Sequence, residues 1–279
     1  MGNNKQTVLI TGASSGIGFS TALHLAEKGC LVIGTSRSKS RLEELERQAE
    51  VKKLSVVGVQ LDINTDQAVE KLVPELLDRY GKVDALVNNA GYGLWGPLQT
   101  LSSEQVKLQF ETNVFAAFRM MRAVLPGMVE RGGGTIINIS SVAGRVPTPF
   151  SSIYAASKFA LEGMSEALRM EVQPFGIRVV VVEPGLFKTG FHDRQSRDNA
   201  VNPHESPYKN LISTYDRKHA LIMPLARDPI GVARTVHRIL SSRNPAFRYP
   251  VGLEAWLGGI GARLVPERLF HTLIRRSVM

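Results

Sequence analysis

Along most of the chain, short apolar runs alternate with longer segments whose apolar residues recur every three or four positions. The runs at 7–10, 31–35, 54–61, 83–87, 134–140 and 177–182 predict buried strands. The periodic segments at 19–28, 41–53, 66–80, 103–130 and 152–173 predict helices. In the second of these, Leu42, Leu45 and Ala49 share one face. Gly29 and Gly81 end two of the helices, and Pro174 with Gly176 ends another. Pro126-Gly127 is expected to kink or fray the end of the helix at 103–130. From 188 to 225 the pattern is lost. That stretch is polar, irregular and proline-containing, and is expected to be a variable substrate loop.

Strands that are apolar throughout and joined by helices imply a parallel sheet covered on both faces. Right-handed crossovers then give an α/β fold: a single Rossmann-type doubly wound parallel sheet with helices on both faces, in one domain spanning 1–279. Ligands of such sheets sit beyond the carboxyl ends of the strands. Those ends carry Gly12, Arg37, Asp62, Asn88 to Gly91, Ser140-Ser141 and Pro184-Gly185.

Composition changes this picture little. The chain is 43% hydrophobic and 21% charged, which suits a soluble globular domain. Cys30 is the single cysteine, so no internal disulfide can form; a buried packing role and a reducing, cytoplasmic location are expected. There is no apolar run of the ~20 residues needed to span a bilayer, and no signal-peptide core. No metal is expected. The net charge of +9 is uneven, because from Lys209 to Met279 twelve Lys/Arg stand against four Asp/Glu. A solvated basic face is the expected reading. Nucleic acid is not expected, and contact with an anionic membrane surface is kept as an alternative.

The chemistry begins at Thr11-Gly12-Ala13-Ser14-Ser15-Gly16-Ile17-Gly18, a glycine turn between a strand and a helix. This is the context of a dinucleotide fingerprint. Gly12 would allow the tight turn, Gly16 the approach of a pyrophosphate, and Gly18 close packing of the helix on the strand. The helix N-terminus offers N–H groups to the phosphates. A second cluster is Tyr154-Ala155-Ala156-Ser157-Lys158. Tyr154 and Lys158 are one helical turn apart and share a face. A nearby ammonium is expected to lower the phenol's pKa from ~10. Ser141 lies thirteen residues earlier, at a strand end.

These pieces, with Asp62, Asn88-Asn89-Ala90-Gly91, Asn113 and Pro184-Gly185-x-x-x-Thr189, resemble the short-chain dehydrogenase/reductase family across residues 7 to about 190. The resemblance implies a catalytic set of Asn113, Ser141, Tyr154 and Lys158. Tyr154 would transfer the proton, Lys158 would lower its pKa and hold the nicotinamide ribose, Ser141 would bind the carbonyl oxygen, and Asn113 would support a proton relay. It implies cofactor contacts at Gly12, Ser14, Ser15, Gly16, Ile17, Gly18, Ser36, Arg37, Asp62, Ile63, Asn89, Ala90, Gly91, Tyr154, Lys158, Pro184, Gly185 and Thr189. A homo-oligomer is expected as well.

An NAD enzyme places a carboxylate after the second strand. Here Thr35-Ser36-Arg37-Ser38-Lys39 stands there, with no carboxylate before Glu43. Ser36, Arg37 and Ser38 suit a 2′-phosphate, so NADP(H) is the expected cofactor. Leu94, Trp95, Val146, Phe150, Leu186, Phe187 and Phe191 are expected to wall a pocket for a small lipophilic carbonyl or alcohol. The extension at 253–279 resembles the hydroxysteroid and retinol dehydrogenase branch. Pro266 is expected to split it into two short amphipathic helices. They could cover the pocket, form a dimer contact or sit on a membrane, and a combined pocket-and-surface role is the leading expectation. Two alternatives remain: a membrane-associated lipid-metabolising reductase, and a non-catalytic NADP(H)-binding sensor.

Overall fold

A computed structural model describes residues 5–189, 196–197 and 207–279. Seven strands form one parallel sheet. They are β1 (Thr7–Thr11), β2 (Leu31–Ser36), β3 (Val56–Gln60), β4 (Ala85–Asn88), β6 (Gly134–Ile139), β7 (Ile177–Pro184) and β9 (Arg248–Val251), in the order β3-β2-β1-β4-β6-β7-β9. β5 (Leu94–Trp95) pairs with β8 (Ser196–Arg197) in a separate two-stranded ribbon. The order reverses direction beside β1, which opens a crevice at the carboxyl ends of β1 and β4.

The helices are α1 (Gly16–Glu27), α2 (Lys39–Val51), α3 (Asp66–Tyr80), α4 (Ser103–Phe110), α5 (Ala116–Glu130), α6 (Ser152–Val172), α7 (Lys209–Ile222), α8 (Ile230–Ser241), α9 (Leu253–Leu264) and α10 (Glu267–Val278). Alternate strand residues point to opposite faces, so each face has its own core. Val8, Ile10, Val180 and Val182 meet Leu25 of α1 and Val236 and Ile239 of α8. Leu9, Leu86, Ile136 and Val179 meet Leu72 of α3 and Met120, Val124 and Met128 of α5. Cys30 is buried in the first core, and burial raises its thiol pKa, as suits an unreactive packing residue.

Four sequence expectations need correction. The helix expected at 103–130 is broken by a π-turn, Glu111–Phe115, into α4 and α5. Pro126 does not end α5, which runs on to Glu130. Pro126 lies on the exposed side of the helix, and it costs α5 one backbone hydrogen bond, to the carbonyl of Arg122, without ending it. The stretch at 188–225 is not irregular throughout, since α7 lies within it. The seventh strand, β9, was not legible because it is four residues long and carries Arg248 and Pro250. As an edge strand it tolerates both.

Candidate active site

The glycine turn and the 89–91 segment are built as one unit. Gly12 and Gly16 take φ values of +67° and +56°, which favour glycine. A Cβ on Gly12 would stand 2.9 Å from Cα of Ala90. Asn89 Nδ2 donates to the carbonyls of Thr11 (2.9 Å) and Gly12 (3.1 Å). Thr11 Oγ1 accepts from the backbone N–H of Asn89 and Ala90, at 3.0 and 3.1 Å. Gly18 packs on the turn itself, where a Cβ would collide with the Gly12 carbonyl oxygen and Asn89 Nδ2. Across the opening, a Cβ on Gly16 would meet Thr189 at 3.1 Å. The turn leads directly into the N-terminus of α1, at Gly16. Such a cradle fits a pyrophosphate.

Beside the slot, the Ser36 hydroxyl donates to Ser14 Oγ at 2.8 Å and accepts from the Ser38 N–H at 3.2 Å. Arg37 is exposed between the two serines. Its charge opposes the burial that raises the Tyr92 phenol, which places Arg37 and Tyr92 within electrostatic reach. Asp62 is exposed and accepts from the Asn64 N–H at 3.1 Å. Ile63, expected as a cofactor contact, turns its side chain into the second core, which leaves only its backbone for that role. Ile17 is partly buried against the first core.

α6 carries Tyr154, Lys158 and Glu162 at intervals of four, and all three are buried. The Tyr154 hydroxyl is hydrogen-bonded to Ser141, which also accepts from the Ala143 N–H at 3.1 Å. Lys158 Nζ donates to the Ile139 carbonyl at 2.9 Å and lies 5.9 Å from the Tyr154 ring centre. Asn113 sits in the π-turn and is buried. Its Oδ1 accepts from the Tyr92 N–H (3.1 Å), and its Nδ2 donates to the Tyr92 carbonyl (3.0 Å) and to Ser157 Oγ (3.0 Å). Gly91 lies directly against it, since a Cβ there would stand 3.0 Å from Asn113 Oδ1 and 3.8 Å from Lys158 Nζ. π-turns of this kind recur at functional sites.

The expected direction of the tyrosine shift is reversed. Burial pushes Tyr154 up to about 12, against a smaller opposing effect of Ser141. The same burial brings Lys158 down to about 8, with Glu162 opposing. Desolvation disfavours whichever form is charged, so both groups move toward neutrality. The Tyr154 phenol is therefore held neutral.

Sequence reasoning missed the cluster behind this pair. Ser140 donates to Glu162 Oε1 at 2.8 Å. Arg248 Nε, from β9, reaches Glu162 Oε2 and Glu183 Oε1, each at 3.3 Å, and Arg145 approaches Glu183 at 3.8 Å. Burial and the neighbouring Glu183 raise Glu162 to about 7. The one sequence signal was spacing, because Glu162 lies on the Tyr154–Lys158 face. Its carboxylate holds the Lys158 pKa up, so Glu162→Gln is expected to lower it. If the ammonium is the working form, kcat/KM falls as pH rises through about 8 in the wild type. In Glu162→Gln that fall should begin at lower pH, which a pH profile of both proteins measures. An unmoved limb would count against the coupling.

An aromatic wall adjoins Tyr154. The Trp95 ring lies 5.6 Å from it, and Trp95 Nε1 donates to the Tyr215 hydroxyl at 2.8 Å. Phe150 meets Tyr215 edge-on at 5.7 Å and holds a φ of +64°, a strained value for a bulky residue. Tyr215 belongs to α7 and was missed with that helix, although Leu211, Tyr215 and His219 have helical spacing. Of the expected walls, Leu94, Val146 and Phe187 are buried, and Phe187 is core. Phe191 lies outside the described residues. The 184–189 strip is held from below: Gly185 donates to the Val251 carbonyl at 2.9 Å, and Glu254 of α9 accepts from the Leu186 N–H at 2.7 Å and pairs with Arg227 at 3.1 Å. No group of His, Cys, Asp and Glu suited to a metal occurs among the described residues.

A dinucleotide cradle and a Ser–Tyr–Lys set, with Tyr154 and Lys158 buried and Ser141 half-buried, thus share one end of a doubly wound sheet, which is the layout of a nicotinamide-dependent oxidoreductase. Comparison with known proteins agrees. The short chain dehydrogenase family model matches residues 6–200, and the chain belongs to that family. It is 41% identical over 250 residues to a 3-ketodihydrosphingosine reductase of Bacteroides thetaiotaomicron, covering 88% of each chain. It is 38% identical over 254 residues to human retinol dehydrogenase 8, covering 87% of this chain and 80% of that one. A structure of a variant actinorhodin polyketide ketoreductase with NADPH superposes with a TM-score of 0.78 at 29% identity, covering 92% of this chain and 99% of that one.

Proposed function

We propose that this protein is an NADP(H)-dependent oxidoreductase that interconverts a carbonyl and an alcohol on a lipophilic substrate. The observation that carries this reading is the hydrogen bond between Ser141 and the buried Tyr154, with Lys158 one turn further along α6. NADPH, when bound, supplies the hydride. Tyr154 gives its proton to the carbonyl oxygen as negative charge builds there, and Ser141 orients that oxygen. Lys158, as the ammonium, holds the ribose and stabilises the tyrosinate left behind. Asn113 positions the 92 segment against α6 through its three hydrogen bonds.

A lipophilic substrate is supported by the Trp95–Tyr215–Phe150 wall and by two relatives named for apolar alcohols or ketones. A turnover screen of lipophilic and small ketones with NADPH and with NADH tests the assignment. Turnover of the lipophilic set with NADPH is expected. Tight NADPH binding without any turnover would favour a sensor.

The choice of NADP(H) over NAD(H) rests on Ser36, Arg37 and Ser38 with no neighbouring carboxylate. Ser36→Asp would add a charge that repels a 2′-phosphate and can accept from a ribose hydroxyl. The ratio of NADPH to NADH affinity should swing toward NADH by roughly 1–3 kcal/mol. Fluorescence titration of both proteins measures this. A wild type that binds NADH more tightly would sink the argument.

A homo-oligomer is supported by Phe115, Phe118, Phe159 and Met170, large apolar residues exposed on the π-turn, α5 and α6. Light scattering checks it. No helix among the described residues is long and apolar enough to cross a membrane. The single buried Cys30 fits a reducing compartment such as the cytoplasm.

A further inference from the structure

α9 presents its apolar face outward. Its small residues face the protein: Ala255 and Gly259 are buried, Gly258 lies against Val142 and Val146, and Arg145 donates to the Gly259 carbonyl at 3.2 Å. Leu253, Trp256, Leu257, Ile260 and Leu264 therefore line the opposite face, and all are exposed; Leu264 is 75% exposed and Trp256 54%. α10 folds back so that Phe270 meets Gly261, and it leaves Leu269 and Leu273 exposed beside this stripe. A pocket cover would bury such residues, so covering the pocket does not by itself account for them.

Charge selects the occupant. Arg263, Arg268, Arg275 and Arg276 are exposed on these two helices, against only Glu254 and Glu267. Glu254 is already engaged by Arg227 and the Leu186 N–H. A second copy meeting this face about a two-fold axis would set arginines against arginines. An anionic bilayer meets both needs. Its acyl boundary takes the leucines, its headgroups take the guanidinium groups, and an indole such as that of Trp256 suits the zone between.

We propose that the α9–α10 face docks on an anionic lipid surface, with both helices lying in the plane of the interface. α9 packs on the segment that follows Ser141, so docking sets the catalytic end of the sheet close to the lipid. The inference does not depend on the catalytic reading.

The test uses the full chain and vesicles of phosphatidylglycerol with phosphatidylcholine, or of phosphatidylcholine alone. The wild type is expected to sediment with the anionic vesicles, and less so at roughly 0.5 M salt, where charges are screened. Arg268→Ser/Arg275→Ser should bind roughly twenty-five-fold more weakly, at about fivefold for each arginine. Leu257→Ser/Leu264→Ser should lose sedimentation while keeping NADPH binding and the wild-type circular dichroism spectrum. Trp256→Phe should still sediment but lose the blue shift of tryptophan emission that vesicles induce in the wild type. The proposal is overturned if the wild type ignores anionic vesicles. It is also overturned if the wild type binds them with no change in emission, or if light scattering shows a dimer that Leu257→Ser/Leu264→Ser dissociates.

Discussion

Tyr154→Phe is expected to lower kcat by about 10²–10⁴-fold, the range that general acid catalysis contributes. The substitution removes one oxygen and nothing else. The ring keeps its place against Trp95 and in the small cluster with Ala143 and Ala155. The loss is one hydrogen bond, to Ser141, so stability should change by only about 1 kcal/mol. NADPH binding should persist, since the cradle around Gly12, Gly16 and Asn89 lies on other elements. Three measurements separate the outcomes: kcat at saturating NADPH, cofactor affinity by fluorescence, and thermal midpoint. A purified variant with near-normal kcat would remove Tyr154 from the proton-donor role. A variant that fails to bind NADPH would point to a structural role instead.

How much of this was legible in the sequence follows from range. The first six strands of the seven-stranded sheet, in chain order, were visible because each is a run that is apolar by itself. The turn at 12–18 and the Tyr154–Lys158 pair were visible because their chemistry lies within a few residues of chain. The missing features depend on distant partners. Arg248 meets Glu162 across more than eighty residues, and nothing near either residue announces the other. β9 reads as a polar segment until β7 offers an edge to pair with. The tyrosine shift failed for a related reason. The lysine at i+4 was visible, but the burial that governs the shift, opposed by Ser141, is a property of the packed fold. Tyr215 was hidden because α7 lies in a stretch read as loop, although its spacing was helical.

Gly18→Ala is expected to destabilise the protein by about 1–3 kcal/mol, the usual range for overpacking, and to weaken NADPH binding. Helix propensity alone gives the opposite sign, because alanine in a helix interior is better than glycine by roughly 0.5–1 kcal/mol. Space decides between the two effects. The new methyl would run into the Gly12 carbonyl oxygen and Asn89 Nδ2, and would lie 2.9 Å from the Gly12 carbonyl carbon. Neither neighbour can yield cheaply. The Gly12 carbonyl is backbone in a turn held at φ +67°, and Asn89 is tied to both Thr11 and Gly12. Relief must come from α1 moving off the turn, which displaces the helix N-terminus that would meet the cofactor phosphates. Stability and affinity should therefore fall together. Gly163→Ala is the matched control. Gly163 also lies within a helix, α6, but a Cβ there meets nothing within 4 Å. That variant should gain roughly 0.5–1 kcal/mol and bind NADPH as the wild type does. Urea melts and NADPH titrations on the two variants read both effects. If Gly18→Ala behaves like Gly163→Ala, the turn is looser than its hydrogen bonds imply, and the steric account of the fingerprint glycine fails.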